Sequence, residues 1–283
     1  AEDAFALALV ETGHFHPGVI AREKASALLR QSQLQLSTFT ESFSGLGGLD
    51  RLKEYALHAV QSPLSLGLML LGPPGTGKSH FAKSLGKEIG IPTLSLDFSR
   101  MMGSLVGQSE ATIRAALKAV DAMGRVVLFC DEAEKGLAGV QSSGQTDSGT
   151  KAGVGATYLK WLSDRKPGRA YVIATVNDIT QLPPEFTRAG RFDVIFWLDL
   201  PNEEEKQVIW ELYKKQFGIP GAQLPPDEGW TGAEIHSCCR TAVMLGCDLE
   251  AAAEYIVPVA TTMAEKIQAL REWAKGRAVP ASK

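Results

Sequence analysis

The sequence is poor in cysteine and lacks any apolar run long enough to cross a bilayer. Its four cysteines are Cys130, Cys238, Cys239 and Cys247, and they include no pair of CxxC motifs. This spacing indicates neither a disulfide framework nor a zinc site, and it favours a reducing, cytosol-like compartment. A membrane-spanning helix needs about 20 mostly apolar residues in a row. We therefore expect a soluble protein.

The chain also has almost no excess charge of either sign. It carries 29 Lys and Arg residues against 32 Asp and Glu residues, which gives a formal net charge of -3. A near-neutral chain has no general attraction to phosphate backbones or anionic membranes. Nucleic acid is therefore an unexpected partner, and so is a membrane. The first residues, AEDAFALALVETG, place acids where an export signal would place basic residues, so we interpret them as helix.

What the sequence does have is an alternation of short apolar runs with helical segments. Its 283 residues suffice for one large domain, or for one domain and a smaller second one. The apolar runs lie at residues 66–71, 93–97, 126–130, 171–175 and 194–198. This pattern predicts an α/β fold with a doubly wound, parallel, five-stranded sheet. In such a sheet, ligands bind beyond the carboxyl ends of the strands.

Three regions follow from the pattern. Residues 1–40 are predicted to be an N-terminal helical segment, whose second helix runs from about Val19 to Leu36. Residues 41–201 are the predicted α/β domain, and residues 202–283 are predicted to be helical, with a last helix over 261–275. Asn202, followed by three glutamates, is a strong helix start because carboxylates suit the positive N-terminal end of a helix. The Gly- and Ser-rich residues 141–155 are interpreted as a mobile loop.

A glycine-rich loop directly follows the first predicted strand. Its sequence is GPPGTGKS, residues 72–79, and a helix-compatible run begins behind it. This is the strand, loop and helix context of a phosphate-binding P-loop. Backbone N–H groups wrap the phosphates, Lys78 reaches the β and γ oxygens, and the Ser79 hydroxyl ligates magnesium. The predicted ATP-binding residues here are Pro73, Pro74, Gly75, Thr76, Gly77, Lys78, Ser79 and His80.

A second polar feature ends the third predicted strand. The apolar run VVLFC is followed at once by Asp131 and Glu132. Because the carboxyl ends of parallel strands share one edge of the sheet, both carboxylates are expected beside the phosphate loop. Asp131 is predicted to orient magnesium, and Glu132 to take a proton from, or orient, the water that attacks the γ-phosphate. A kinase would exclude water, so the pair favours an ATP hydrolase over a small-molecule kinase.

These motifs, in this order, resemble those of the AAA+ ATPases. The likeness includes Asn177 after the fourth strand, RAGRFD at residues 188–193, GLGGLD at 45–50 and GWTGAE at 229–234. It is nearest to the branch that holds katanin, spastin and the membrane-bound AAA proteases. Residues 147–165 and 259–282 further resemble an AAA+ family known from algal plastids and cyanobacteria as a hypothetical chloroplast reading frame.

The resemblance implies roles for three residues beyond the phosphate loop. Asn177 is similar to the family's first sensor, whose amide positions the attacking water. Arg188 and Arg191 are similar to arginine fingers, which stabilise charge on the nucleotide of a neighbouring subunit. Fingers that act between subunits imply a ring, and the family likeness implies a hexamer in ATP.

The resemblance also implies residues that border the nucleotide base. Gly47 and Gly48 are similar to the segment that lies against the adenine. Gly232 and Ala233 are similar to the start of the lid helix, which makes residues 202–283 the family's helical lid domain. Ala233 stands where many branches place a sensor arginine, and Arg240, two turns on, is a candidate substitute.

A likeness to the first pore loop completes the comparison of motifs. It lies in SLVGQSE at residues 104–110 and centres on Leu105, Val106 and Gly107. Leu105 stands where the family's aromatic residue grips a threaded polypeptide. A leucine supplies less rigid contact area than an aromatic ring, so processive threading is not implied.

Three functions fit these features, and they differ in what the ATP does. The leading hypothesis is a ring-forming AAA+ ATPase that couples Mg-ATP binding and hydrolysis at subunit interfaces to the remodelling of a protein partner. The alternative is a nucleotide-gated assembly that recruits a partner, with slow hydrolysis as a timer. The third is a DNA-loading ATPase, which the charge balance disfavours. The expected location is the cytoplasm, or the plastid stroma if the protein is organellar.

Overall fold

The computed structural model describes residues 34–37, 39–98, 108–137 and 148–283. Within these ranges the chain forms a mainly parallel sheet with helices on both faces, followed by a cluster of helices. Most of the predicted N-terminal helical segment lies outside the described residues. So do the pore-loop residues Leu105, Val106 and Gly107.

The sheet has seven strands in the described part of the chain, in the order β1-β3-β4-β5-β2-β6-β7. These are β1 (Gln35–Ser37), β2 (Gly67–Leu71), β3 (Thr93–Leu96), β4 (Val126–Cys130), β5 (Ala170–Val176), β6 (Val194–Trp197) and β7 (Val279–Pro280). Neighbouring strands are parallel, except that β1 and β3 are antiparallel. The predicted parallel α/β sheet is confirmed, and its five strands are β2 to β6.

The helices lie between these strands and after β6. They are α1 (Asp50–Ala59), α2 (Lys78–Ile89), α3 (Gln108–Met123), α4 (Ala133–Leu137), α5 (Ser148–Asp164), α6 (Glu203–Phe217), α7 (Gly232–Leu245), α8 (Leu249–Ala253), α9 (Val259–Thr262) and α10 (Ala264–Ala274). Short 3-10 turns occur at Phe43–Gly45, Ile179–Gln181 and Pro184–Thr187. None of the described helices combines the length and the apolar character that crossing a bilayer requires.

Alternation of side chains along the strands produces a core on each face of the sheet. On β2, Leu68 and Leu70 pack in one core with Phe81 of α2, whereas Met69 and Leu71 pack in the other. All five residues of β2 are buried. Parallel strands that are buried on both faces have continuous apolar sequences, which is why their positions could be predicted closely.

A third core joins α6, α7 and α8. It contains Ile209, Trp210, Ile235, Cys238, Cys239 and Leu249 among others. The predicted start of α6 is confirmed, because Asn202 Oδ1 accepts a hydrogen bond from Glu205 N at 2.9 Å and Glu205 Oε2 accepts one from Asn202 N at 3.0 Å. This capping box pairs two N–H groups that the helix itself leaves unpaired.

The C-terminal residues differ from the prediction that residues 202–283 are a purely helical domain. In α10, Leu270 and Ala274 pack into the core on one face of the sheet. β7 then adds a parallel strand beside β6. These residues therefore return to the sheet instead of joining the core of α6 to α8. A two-residue strand that contains a proline has no periodic signal by which the sequence could predict it.

Two further predictions about local structure are wrong. Leu36 lies in β1, paired with Leu94 of β3, and not at the end of a helix. Helix α5 begins at Ser148, within the stretch that was interpreted as a loop. A Cβ atom at Gly153 would lie 1.9 Å from Oε1 of Glu110 on α3. Glycine here allows α5 to lie close against α3, so its presence does not mark a loop.

Replacing Gly67 with alanine is expected to destabilise the fold strongly. Gly67 has φ 134°, and a Cβ atom there would lie 2.0 Å from the carbonyl oxygen of Val172 on β5. Backbone strain of this kind costs about 1–3 kcal/mol, and steric overlap in a packed core adds about 1–3 kcal/mol. We expect Gly67→Ala to lower the free energy of unfolding by about 3 kcal/mol or more in urea denaturation.

Gly90→Ala is the matched control for this prediction. Gly90 also has a positive φ, 66°, but nothing lies within 4 Å of a Cβ atom built there. Gly90→Ala should therefore lower the free energy of unfolding by only about 1–2 kcal/mol, which is the cost of a left-handed backbone for a residue with a Cβ atom. Equal losses for the two variants would show that contact with β5 does not require glycine at position 67.

Candidate functional site

The glycine-rich loop wraps around the ammonium group of its own lysine. Gly75 and Gly77 have φ 84° and 91°, and α2 begins immediately afterwards at Lys78. Lys78 Nζ donates hydrogen bonds to the carbonyl oxygens of Gly72 and Pro73, at 2.7 and 2.6 Å. Its side chain is thereby held within the loop, at the position where the phosphates of a nucleotide are expected.

Burial has a large effect on the charge of Lys78. The residue is 5% exposed. Burial lowers the pKa of Lys78 to about 8, against the opposing effect of the nearby Glu134, Asp131 and Glu132 carboxylates. The lysine thus titrates close to physiological pH while it lies beside acidic groups.

Asp131 is directed at the phosphate loop. Its Oδ1 accepts a hydrogen bond from Ser79 Oγ at 2.8 Å and a second from Thr175 Oγ1 at 2.6 Å. Asp131 follows β4, Ser79 lies in the first turn of α2, and Thr175 lies near the end of β5. Three elements therefore meet at one carboxylate oxygen.

Glu132 turns away from Asp131 because its backbone is in the left-handed region, with φ 48°. Its N–H donates to Thr175 Oγ1 at 2.9 Å. Its Oε1 accepts from Asn177 Nδ2 at 3.3 Å, and its Oε2 accepts from Lys135 Nζ at 2.5 Å. A non-glycine residue in this region is strained, so the backbone is held in a costly conformation that separates the two acids.

Two buried residues that the sequence did not single out complete this edge. Thr175, 1% exposed, links Asp131 and Glu132 through its hydroxyl group. Glu134, 3% exposed, accepts a hydrogen bond at Oε1 from the backbone N–H of Asn177 at 2.9 Å. Its Oε2 has no hydrogen-bond partner among the described residues, and burial raises its pKa. The available signals were a hydroxyl at the end of an apolar strand and an acid two residues after an acidic pair.

These groups open onto a cavity of about 710 Å³. The predicted residues that line it are Gly47, Pro74, Gly75, Thr76, Gly77, Lys78, Ser79, His80, Asp131, Glu132, Asn177, Gly232 and Ala233. The other two predicted binding residues adjoin its lining: Pro73 accepts from Lys78, and a Cβ atom on Gly48 would lie 2.3 Å from Oε1 of the lining residue Glu205. The structure therefore brings the predicted binding residues together.

The helix α7 closes one side of the cavity. Ala233 N donates to the Gly75 carbonyl at 3.3 Å. A Cβ atom on Gly75 would lie 2.6 Å from Thr231 Oγ1, so only glycine permits this approach. Glu234 Oε2 accepts from the backbone N–H of Thr231 at 2.6 Å, which holds the first turn of the helix. Arg240 is exposed and does not line the cavity.

The two predicted finger arginines lie outside the cavity. Arg188 is exposed. Arg191 donates through Nε to Ser163 Oγ at 3.1 Å and through Nη1 to the Glu185 carbonyl. Buried Arg165, which the sequence analysis did not identify, holds this segment through a hydrogen bond from Nη2 to the Arg191 carbonyl at 2.5 Å.

The residues present fit a nucleoside polyphosphate with magnesium. A Cβ atom would lie 2.6 Å from Thr231 Oγ1 if built on Gly75 and 2.9 Å from Leu46 Cδ1 if built on Gly77, so the loop requires glycine at both positions to keep its conformation. Phosphate oxygens can replace the carbonyl oxygens that accept hydrogen bonds from Lys78. Mg²⁺ is bound by few protein groups and keeps waters and substrate phosphates as its other ligands. The converging Ser79 hydroxyl and Asp131 carboxylate suit that requirement.

The chain is similar in sequence to known proteins. Residues 68–200 match the profile of the family described as "ATPase family associated with various cellular activities (AAA)". The chain is 32% identical over 292 residues to an uncharacterized AAA domain-containing protein ycf46 of Pyropia yezoensis, which covers 93% of this chain and 58% of that protein. It is 25% identical over 226 residues to a proteasome-activating nucleotidase of Thermococcus onnurineus, which covers 72% of this chain and 56% of that protein.

The fold is also that of a solved structure. The crystal structure of the FIGL-1 AAA domain superposes with a TM-score of 0.69 at 19% identity, over 91% of this chain and 96% of that domain. The same domain in complex with ADP gives a TM-score of 0.68 at 18% identity, over 90% of this chain and 97% of that domain. The chain itself spans only a little over half the length of the ycf46 proteins, 58% and 55% for those of Pyropia yezoensis and Guillardia theta.

The lowered pKa of Lys78 predicts that ADP binding weakens at alkaline pH. The free protein loses the lysine proton as pH rises through about 8, whereas a bound polyphosphate favours the charged lysine. Binding then requires proton uptake, so affinity should fall by up to about tenfold per pH unit above 8. Calorimetric titration at several pH values measures this slope. In Lys78→Arg the guanidinium stays charged, so the slope should disappear; an equal slope in both proteins would contradict the prediction.

Proposed function

Residues 68–200 of this chain belong to the AAA family of ATPases, and we propose that the chain binds Mg-ATP in the cavity at its phosphate loop and hydrolyses it. One observation carries this proposal: two consecutive acids face different partners. Asp131 points to Ser79, and Glu132 points to Asn177. A metal-binding carboxylate and a water-activating carboxylate need this separation.

Each residue then has a distinct part in the proposed reaction. Lys78 contributes positive charge beside the β- and γ-phosphates, and Ser79 and Asp131 hold the magnesium ion. Magnesium, when bound, supplies charge neutralisation on the phosphate oxygens. Glu132 accepts a proton from the attacking water.

Asn177 aligns that water, since its Nδ2 already lies 3.3 Å from Glu132 Oε1. Glu134 positions Asn177, because its Oε1 accepts a hydrogen bond from the Asn177 backbone N–H.

We further propose that the active unit is a ring, by family likeness a hexamer. Arg188 is exposed, and neither it nor Arg191 lines the cavity of its own subunit. An arginine that stabilises the transition state from this position has to reach the cavity of a neighbouring subunit. Arg165 and Ser163 hold the Arg191 segment in place for that contact.

Mixing two inactive variants tests both the site and the ring. Lys78→Ala removes the phosphate contact, and Arg188→Ala removes a finger worth about 10³–10⁵ in rate, so each variant alone should show almost no ATPase activity. In a mixed ring, about a quarter of the sites pair an intact Lys78 with an intact neighbouring Arg188. Activity should therefore return to roughly that fraction when phosphate release is measured.

A surface arginine away from the cavity provides the control. Arg169 is exposed, so Arg169→Ala should hydrolyse ATP like the parent. Full activity of Lys78→Ala alone would rule out the proposed site. Failure of the Lys78→Ala and Arg188→Ala mixture to regain activity would rule out action between subunits.

We propose that the energy of hydrolysis is used on a protein partner. The small net charge, -3, offers no general attraction to nucleic acid. One relative is named a proteasome-activating nucleotidase, a name that joins nucleotide use to a protein machine. The four cysteines are free thiols, three of them buried, which supports a reducing location such as the cytoplasm or the plastid stroma.

A variant that binds ATP without hydrolysing it should retain the partner. Glu132→Gln keeps the shape of the side chain but removes the base, so its complex with ATP should persist. Affinity capture with Glu132→Gln, followed by mass spectrometry, should recover a protein in ATP but not in ADP. Lys78→Ala serves as the control that cannot hold ATP. Recovery of nucleic acid alone would favour the DNA-loading alternative.

A further inference from the structure

The extreme C-terminal part of the chain borders the nucleotide cavity. Pro280, Ala281 and Ser282 are among the residues that line it, and the sequence analysis assigned none of the three to the site. We name these three residues the C-terminal strap. The strap follows α10 and the first residue of β7, so it reaches the cavity from a part of the chain that was expected to belong to the lid.

Backbone hydrogen bonds hold the strap between two elements of the α/β domain. Ala281 N donates to the Trp197 carbonyl of β6 at 2.9 Å, and the Ala281 carbonyl accepts from Leu52 N of α1 at 3.0 Å. The Ala281 side chain is 2% exposed and belongs to the core that α1 and α2 form with the sheet. The strap is therefore docked through its middle residue.

Glu205 connects the strap to the base side of the cavity and to α6. Its Oε1 accepts a hydrogen bond from Ser282 Oγ and another from Leu49 N at 3.3 Å. Its Oε2 accepts from Asn202 N in the capping box of α6. One carboxylate thus joins the strap, the GLGGLD segment and the first turn of the helical cluster. Lys78 and Asp131 lie at the other end of the cavity, where the phosphates are expected.

We infer that the C-terminal strap forms a wall for the base and ribose of the nucleotide, and that strap docking and nucleotide binding stabilise each other. The inference rests on the proposal that this cavity binds an adenine nucleotide. Linkage is reciprocal: if a docked strap favours the nucleotide, the bound nucleotide favours the docked strap by the same factor. A short edge segment opens more readily than the core strands, so its docking equilibrium can respond to a ligand.

Two ligands separate the base end of the cavity from the phosphate end. ADP carries base, ribose and phosphates, whereas inorganic tripolyphosphate carries phosphates alone. Ala281→Glu places a charge in the buried docking position and should undock the strap. We expect it to weaken ADP binding by about tenfold or more, while tripolyphosphate binding stays within about twofold of the parent, both measured by calorimetry.

Val279→Glu is the matched control, because it introduces the same charge next to the strap. Val279 is 39% exposed and does not line the nucleotide cavity, so this variant should bind both ligands like the parent. Unchanged ADP affinity in Ala281→Glu would overturn the inference. So would an equal loss for ADP and tripolyphosphate, because the strap would then act on the whole site.

Hydrogen exchange of the parent protein provides a test that needs no variant. Saturating ADP should slow exchange at the amides of Ala281 and Ser282, and tripolyphosphate should leave them unchanged. Equal exchange with and without ADP would overturn the inference even if Ala281→Glu failed to fold. If the parent did not bind ADP at all, the proposed function itself would be wrong, and that outcome is distinct from ADP binding that ignores the strap.

Discussion

The active edge of this protein depends on a single acceptor, Oδ1 of Asp131. Ser79 and Thr175 both donate to it, so the phosphate-loop helix and β5 are tied to the end of β4. The parallel register pairs Cys130 with Ala174, which places Thr175 beside Asp131 without further adjustment. Thr175 then accepts from Glu132 N, and this bond supports the left-handed backbone that directs Glu132 to Asn177. The separation of the two acids follows from sheet register and one hydroxyl group.

Several groups of the site are held in energetically unfavourable states in the free protein. Lys78 is nearly buried and its pKa is lowered by that burial, even though three carboxylates lie near it. Glu134 is also buried, with one oxygen unpaired within the described residues. Buried charges are costly unless they are paired, and a strained Glu132 adds to the cost. These groups are in position in the free protein, which is the condition under which the proposed site would stabilise charge without reorganisation.

Sequence motifs predicted the site where the chain supplies its groups consecutively. The phosphate loop and the acidic pair each directly follow a buried parallel strand, so the residues of each motif emerge together at the carboxyl edge of the sheet. Thr175 and Glu134 escaped prediction because their importance comes from neighbours on other strands. The C-terminal strap escaped for the same reason, since Ala281 is docked by partners about 80 and 230 residues earlier, Trp197 and Leu52.

The parallel α/β sheet, the phosphate loop and the two acids after β4 could be predicted from the order of residues alone. Continuous apolar runs and local glycine geometry carry that information, because both act over a few neighbouring residues. The folded chain was needed to show that Asp131 contacts Ser79 while Glu132 contacts Asn177, and that α10 and β7 return to the sheet. These features depend on strand order, register and side-chain contacts between distant segments. No local pattern encodes such contacts, so they became visible only when the packed chain brought their partners together.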